Sequence, residues 1–439
     1  MAAQKVPLKT ILKTAKKNRA AAAVVKEYDT RSKVLPADEK KSLRLFTGRV
    51  LVRLDPNVST TEIQRLAKDA GLELAATDGA AGTPDGRLEK VLQQYDGIIF
   101  ERLKIVLVNE SAANPIQQLL ALRRSPFLST EPERYLRILQ PGPKGKGKKG
   151  PWKDTAAATW GIQAINVEKS NFTGKGVKLA ILDTGLDFTH PDLSGRTLHR
   201  KSFVGTRHAN DKEGHGTHCA GIAGGGRKSS SDMRYGVASG ARLHIGKILD
   251  DDGEGTDGQA LAGIEWALEK GCQVISMSFG APAPEGQGYS DTFEQVARIA
   301  MASKCLLIAA TGNESDRSEG WVGAVNHPAN CPSVLSVAAV TPLLELSDYA
   351  CTGKGLQDGQ VDIAGPGDNI LSIRNGGGYR RQSGTSMATA FVAGVAALLW
   401  EQYPGASAGE IWLKLTQQAR RLPIPATEVG AGLVYVRTI

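Results

Sequence analysis

The sequence predicts an α/β domain with a parallel sheet covered by helices on both faces, preceded by a small α+β unit of ferredoxin-like order. Three observations carry this. Beyond Trp152, short runs that are apolar on both faces alternate with helical stretches, as the strands of a covered parallel sheet do. Ahead of residue 141 strands and helices alternate over about 95 residues, enough for a small two-layer sandwich. Between the two lies Pro141–Gly150 (PGPKGKGKKG), where Pro and Gly prevent regular structure and the lysines keep the chain solvated. The expected boundaries are 1–41 for a basic, Ala-rich tail, 42–140 for the α+β unit, 141–153 for the linker and 154–439 for the large domain.

In the first unit, Arg49–Leu54 (RVLVRL) alternates like a strand and Asp55-Pro56 ends it. Ser59–Ala70 places Ile63, Leu66 and Ala67 at helical spacing, with Ser59 or Thr60 as cap and Gly71 as stop. Ile98–Val108 reads as a strand, Asn114–Leu122 as a helix and Tyr135–Leu139 as a last strand. This unit has no His or Cys, which argues against chemistry in it. In the large domain Val177–Leu182, His244–Leu249, Val274–Met277, Leu306–Ala310 and Val334–Val340 read as strands. Gly258–Glu269, Phe293–Ala302 and Ser386–Trp400 read as helices. Ligands on such a sheet bind beyond the carboxyl ends of its strands.

Composition removes several function classes. The apolar stretch Met387–Trp400 is shorter than the ~20 residues a bilayer needs, so it is expected to be a buried helix, and no membrane partner is expected. The net charge of +9 is unevenly spread: residues 1–150 carry +12 and residues 151–439 carry −3. No aromatics interleave with the bases of Lys144–Lys149, so nucleic-acid stacking is unsupported and no nucleic-acid partner is expected. The spacing Gly142…Gly147-Lys148 approaches a phosphate-binding loop. It fails because Lys149 stands where Ser or Thr should ligate magnesium and no strand or helix flanks it. Five cysteines without CxxC spacing suit free thiols. The apolar stretch Ala20–Val25 is too short for a secretory core, which leaves the location open between the cytoplasm and a non-standard export route.

Three residues stand out by position. Asp183 ends the strand KLAILD, His215 lies in GHGTHCAG and Ser386 lies in SGTSMATA at the start of the most apolar helix. A serine hydroxyl is a poor nucleophile until an imidazole takes its proton, and the imidazole needs a carboxylate to fix its tautomer and stabilise its cation. Asp, His and Ser in that chain order form one of the convergent triad arrangements. Asn313, in AATGNES, offers a side-chain amide for an oxyanion, and the Ser386 N–H at a helix start offers a second donor. An α/β-hydrolase esterase would require GxSxG, which Gly384-Thr385-Ser386-Met387-Ala388 breaks. His215, His218 and Cys219 lack the second paired motif of a structural zinc site, so no metal ligands are expected.

AILDTGLDFTHPDL, GHGTHCAGIAG, SMSFG, AATGNES and SGTSMATAFVAG resemble the aspartate, histidine, substrate-wall, oxyanion and serine blocks of the subtilisin-like serine peptidases, over about Thr159 to Val436. The resemblance implies a serine endopeptidase acting on protein or peptide substrates, with Asp183, His215 and Ser386 as triad and Asn313 as oxyanion residue. It implies that substrate adds as an antiparallel strand. Ser278, Phe279 and Gly280 would form one flanking edge, and Gly253, Glu254 and Gly255 the other. The latter run, extended to Gly258, spells GxGxxG, but no acidic residue ends the next strand, so a dinucleotide site is rejected. Cys219 resembles the thiol under the histidine in the proteinase-K-like branch.

The resemblance also implies that residues 42–140 are an inhibitory propeptide, the enzyme's own partner before self-cleavage within Pro141–Lys153. The +12 front third facing a −3 domain is consistent with docking. Two departures stand in the serine block, Ala390 and Phe391 in place of Pro and His, and altered packing is expected there. No cofactor is required. Calcium is compatible with Asp192, which matches a family ligand, but Gly224–Tyr235 does not match the rest of that site. Asp250, Asp251, Asp252, Glu254 and Glu314 suggest a preference for Lys or Arg around the scissile bond. The rival of another class is a permanently inhibited peptidase fold acting as a binding protein.

Overall fold

The computed structural model describes residues 45–77, 88–139, 150–226, 233–283, 288–353 and 359–437. The expected tail over 1–41, residues 141–149 of the linker and residues 227–232 of the insert within Gly224–Tyr235 lie outside the described residues.

The first unit runs β1 (Phe46–Leu54), α1 (Thr60–Asp69), β2 (Leu74–Ala76), α2 (Leu88–Gln94), β3 (Gly97–Phe100), β4 (Ile105–Val108), α3 (Ala113–Leu120) and β5 (Phe127–Ile138). The sheet order is β5-β1-β4-β3-β2, antiparallel except for the parallel pair β2–β3. Alternation along β1 splits its side chains between two cores. Val52 and Leu54 pack with Ile63 and Ile116 under α1 and α3, while Leu51 joins Phe100 and Leu107 in the core shared with the large domain. The segment read as one strand over Ile98–Val108 is a hairpin, because Glu101–Lys104 turns and Lys104 takes φ of 57°. β5 begins eight residues before the expected Tyr135. Pro132, which argues against a central strand, is tolerated because that half of β5 pairs on one side only, with β1.

The large domain runs α4 (Trp160–Ala164), β6 (Lys178–Asp183), β7 (Leu198–Ser202), α5 (His215–Gly224), β8 (Arg242–Lys247), β9 (Glu254–Thr256), α6 (Asp257–Glu269), β10 (Val274–Met277), β11 (Phe279–Gly280), α7 (Asp291–Ala302), β12 (Leu306–Ala310), β13 (Leu335–Val340), β14 (Ile363–Pro366), β15 (Ile370–Ile373), β16 (Tyr379–Gln382), α8 (Thr385–Gln402) and α9 (Ala408–Gln418). Its sheet has the order β14-β13-β12-β10-β6-β8-β7, and every pairing in it is parallel. α5 and α8 pack together on one face, and α6 and α7 cover the other. α8 is buried from Thr385 to Trp400, and no described helix is long and apolar enough to cross a membrane. All five cysteines are free and buried.

The first unit lies on α6 and α7. Its glutamates meet the two helix starts, where backbone N–H groups lack intrahelical partners. Glu133 Oε1 accepts from Gly258 N–H at 3.0 Å, and Glu131 Oε1 accepts from Thr292 N–H and Ser290 Oγ at 2.8 Å each. Arg49 Nε and Thr47 Oγ1 donate to the other oxygen of the fully buried Glu133.

Candidate active site

Asp183 is the last residue of β6, His215 the first of α5 and Ser386 the second of α8, so all three meet beyond the carboxyl end of the parallel sheet. Gly214 takes φ of 98° to turn the chain into α5, and Gly216 leaves room for the Gly185 carbonyl, 2.4 Å from where a Cβ would sit. Asp183 Oδ1 and Oδ2 lie 2.8 and 3.0 Å from His215 Nδ1. That contact places the ring proton on Nδ1 and leaves Nε2 with a free lone pair. Burial disfavours the imidazolium most, but Asp183 and Cys219 together outweigh it and hold the His215 pKa well above its ordinary value. Ser386 Oγ donates to Ser278 O at 3.2 Å, and Ser278 Oγ returns a bond to Ser386 O at 3.0 Å.

Asn313 is oriented by α8. Its Oδ1 accepts Thr385 N–H at 2.9 Å and Thr385 Oγ1 at 2.8 Å, which turns Nδ2 towards the cleft. There Nδ2 donates to Leu139 O at 3.4 Å. The end of β5 lies between the two expected substrate edges. Ile138 pairs with Phe279 and Arg137 with Gly280 on one side; Tyr135, Leu136 and Arg137 pair with Thr256, Gly255 and Glu254 on the other. Ile138 N–H donates to Gly253 O at 2.9 Å. The structure therefore brings Gly253, Glu254, Gly255, Phe279 and Gly280 onto one strand, while Ser278 faces Ser386. The residue whose carbonyl meets Asn313 is Leu139, just ahead of the expected window Pro141–Lys153.

The acidic residues beside the cleft are mostly engaged. Asp250 holds the N–H groups of Asp252 and Glu254, and Asp251 pairs with Lys247 and Lys212. Glu314 accepts both bonds from Asn326 Nδ2, the Asn313 N–H at 2.9 Å and the Cys351 thiol at 3.2 Å. Glu254 is the one that meets a basic side chain of the bound strand, Arg137, at 3.1 Å.

Cys219 Sγ lies under the His215 ring, 3.9 Å from Nδ1 and 4.0 Å from Ser386 O. Among the described residues Asp183, His215 and Cys219 form the one cluster of metal-ligating type. His215 Nδ1 is already bonded to Asp183, and His218 Nε2 is turned to the carbonyls of Ile370 and Arg380. At Asp192 the donor set does not fit calcium. Tyr235 and Tyr379 hydroxyls both donate to its Oδ2 at 2.8 Å, presenting protons where a cation needs lone pairs. Phe391 is buried against Gly161, where a Cβ would sit 2.6 Å from its ring, so the departure in the serine block is absorbed by packing.

Comparison with known proteins agrees with this geometry. A family model described as the subtilase family matches residues 174–432. The chain is 35% identical over 276 residues to subtilisin of Bacillus pumilus, covering 62% of this chain and 92% of that one. It is 36% identical over 279 residues to subtilisin Savinase of Lederbergia lenta, covering 63% and 96%. The thermostable alkaline protease of Halalkalibacterium halodurans is 35% identical over 280 residues, covering 63% and 72%. Among solved structures, sphericase superposes with a TM-score of 0.57 at 28% identity, over 66% of this chain and all of that one.

Proposed function

The chain belongs to the subtilase family and is a serine endopeptidase acting on protein or peptide substrates, and on that premise we propose that it is made as a self-processing zymogen cut after Leu139. The observation that carries the proposal is the end of β5, held between β9 and β11 as an added strand with its last carbonyl on Asn313. Residues 42–139 act as propeptide and first product inhibitor.

In this reading Ser386 Oγ turns its proton from Ser278 O to His215 Nε2 and attacks the Leu139 carbonyl carbon. Asp183 holds the Nδ1 proton and stabilises the imidazolium. The carbonyl oxygen becomes an oxyanion, received by Asn313 Nδ2 and the Ser386 N–H at the start of α8. Collapse breaks the Leu139–Gln140 bond, and His215 gives its proton to the Gln140 amine. Water then hydrolyses the ester between Ser386 and Leu139 by the same proton shuttle. Calcium supplies no step in this chemistry.

The test compares intact mass and N-terminal sequence of wild type and Ser386→Ala, each treated with a covalent serine-hydrolase probe. Wild type is expected to begin at Gln140 and to be labelled on Ser386, with the variant intact and unlabelled. A different mature N-terminus rejects the register. An unprocessed, unlabelled wild type that stays unlabelled after a trace of external protease rejects the catalytic reading in favour of a binding protein.

A further inference from the structure

The cleft has a second half that β5 does not fill. Beyond Leu139 the substrate must pass Ser386 and His215 on the side away from β9 and β11, where the leaving amine departs. The hairpin β15–β16 packs on α5 beside His215 and leads directly into Ser386. Ser372 pairs with Arg380 and Ile370 with Gln382, and cross-strand partners share a face. Ser372 Oγ donates to His218 O, so that face is turned to α5. Arg380 and Gln382 therefore point at the first turn of α5 from the strand that leads directly into Ser386. The Arg380 guanidinium lies over Gly214, with Nη2 3.1 Å and Cζ 3.3 Å from where a Cβ would sit. Gly214 immediately precedes His215.

This end of α5 collects polar groups that the fold leaves unanswered. Among the described residues Arg380 Nε and Nη2, Gln382 Oε1 and His218 Nδ1 are buried without a hydrogen-bond partner, and Arg380 pairs with no carboxylate. The nearby acids are engaged elsewhere: Glu213 Oε2 caps the His215 N–H, and Asp187 holds Thr189 and Gly376. A half-buried guanidinium with no counter-charge costs free energy unless something else answers it. His218 adds no counter-charge: burial, reinforced by Arg380, pushes its pKa down to about 3, and the ring stays neutral with Nε2 turned to carbonyls.

We propose that Arg380 and Gln382 form a leaving-group subsite that selects a long side chain ending in a carbonyl or carboxylate, Gln or Glu, immediately after the scissile bond. An acceptor oxygen answers the guanidinium, and the Gln382 side-chain amide can present either its oxygen or its NH2 to the remaining atom. The chain's own residue after Leu139 is Gln140, which has this chemistry. The inference rests on the peptidase reading and on the cut after Leu139.

The test uses the self-matured enzyme and four internally quenched peptides, Leu-Arg-Ile-Leu-Xaa-Gly-Ala with Xaa as Gln, Glu, Lys or Met. Wild type is expected to cleave the Gln and Glu peptides about tenfold faster in kcat/KM than the Lys peptide, with Met between. Arg380→Met should bring the Glu-to-Lys ratio to about 1, and Arg380→Glu should invert it, which a merely structural role would not do. Equal rates for all four peptides in wild type overturn the subsite even if neither variant accumulates. An unchanged ratio in a variant that matures overturns it as well. Cleavage of none of the peptides overturns the peptidase reading beneath it, a separate and visible failure.

Discussion

Asn313 shows how much one side chain depends on its supports. Thr385 holds its Oδ1 through both backbone and hydroxyl, so a flip of the amide would take the acceptor from the Thr385 N–H. Removing the corresponding amide from a subtilisin costs about 10²–10³ in turnover, and Asn313→Ala is expected to lose the same order in kcat with little change in KM, as steady-state kinetics would reveal. His215 sets the pH range. The base must be neutral, and its pKa is held well above 6.5 in the docked state, so the rate of self-cleavage of the intact chain should rise with pH through a midpoint above 6.5. A profile with its acid midpoint below 6.5 would contradict that. Asp192 makes a third prediction. Asp192→Ala strands two tyrosine hydroxyls and should cost about 1–3 kcal/mol of stability in a denaturant titration, with no rescue by added calcium.

At the scale of elements, what could be read in the sequence divides along a physical line. Asp183, His215, Asn313 and Ser386 stand where a strand or helix ends at a glycine-bounded turn, and such turns leave local signatures. The five inner parallel strands were equally legible, because burial on both faces forces unbroken apolar runs, whereas the edge strands β7 (LHRKS) and β14 (IAGP) were not, one being largely polar and the other short and ended by Gly-Pro. The hairpin turn at Glu101–Lys104 was not, since it uses neither Gly nor Pro and pays instead with a left-handed lysine. The length of β5 was hidden by Pro132, and β2 and α2 are too short to show a period. Arg380 was invisible for another reason: an unanswered charge is a property of a face, and the face is set by pairing with Ser372. Glu133 is the element-scale test of docking. Glu133→Ala orphans the Gly258 N–H at the start of α6 and removes a buried partner of Arg49, so it should weaken docking of the first unit by on the order of 3 kcal/mol. The inhibition constant of the first unit, added in trans to the peptidase domain, measures this.

For the whole molecule, the first unit and the peptidase share one hydrophobic core and one continuous run of strands through β5. Across their contact Glu265 on α6 accepts the Arg102 N–H at 2.9 Å, which makes docking a candidate for pH dependence. Burial pushes this carboxyl up to about 7, against the pull of Thr77 and Arg102, with Glu101 adding to the rise. Once uncovered it should titrate near its ordinary 4.5, so docking takes up a proton between those values. The contribution is fully present below about 4.5 and lost as pH rises through about 7. If the chain is cut as proposed, enzyme diluted at pH 5.5 should therefore keep the first unit longer than at pH 8.5 in size-exclusion runs, and Glu265→Gln should flatten the difference. The five buried thiols turn the same fold into a clock. A thiol reagent in solution can reach them only when the structure opens, so the rate at which colour develops reports how often this enzyme exposes itself to its own cleft. A peptidase that unfolds in the company of copies of itself is destroyed by them, and the interval between openings is its working lifetime.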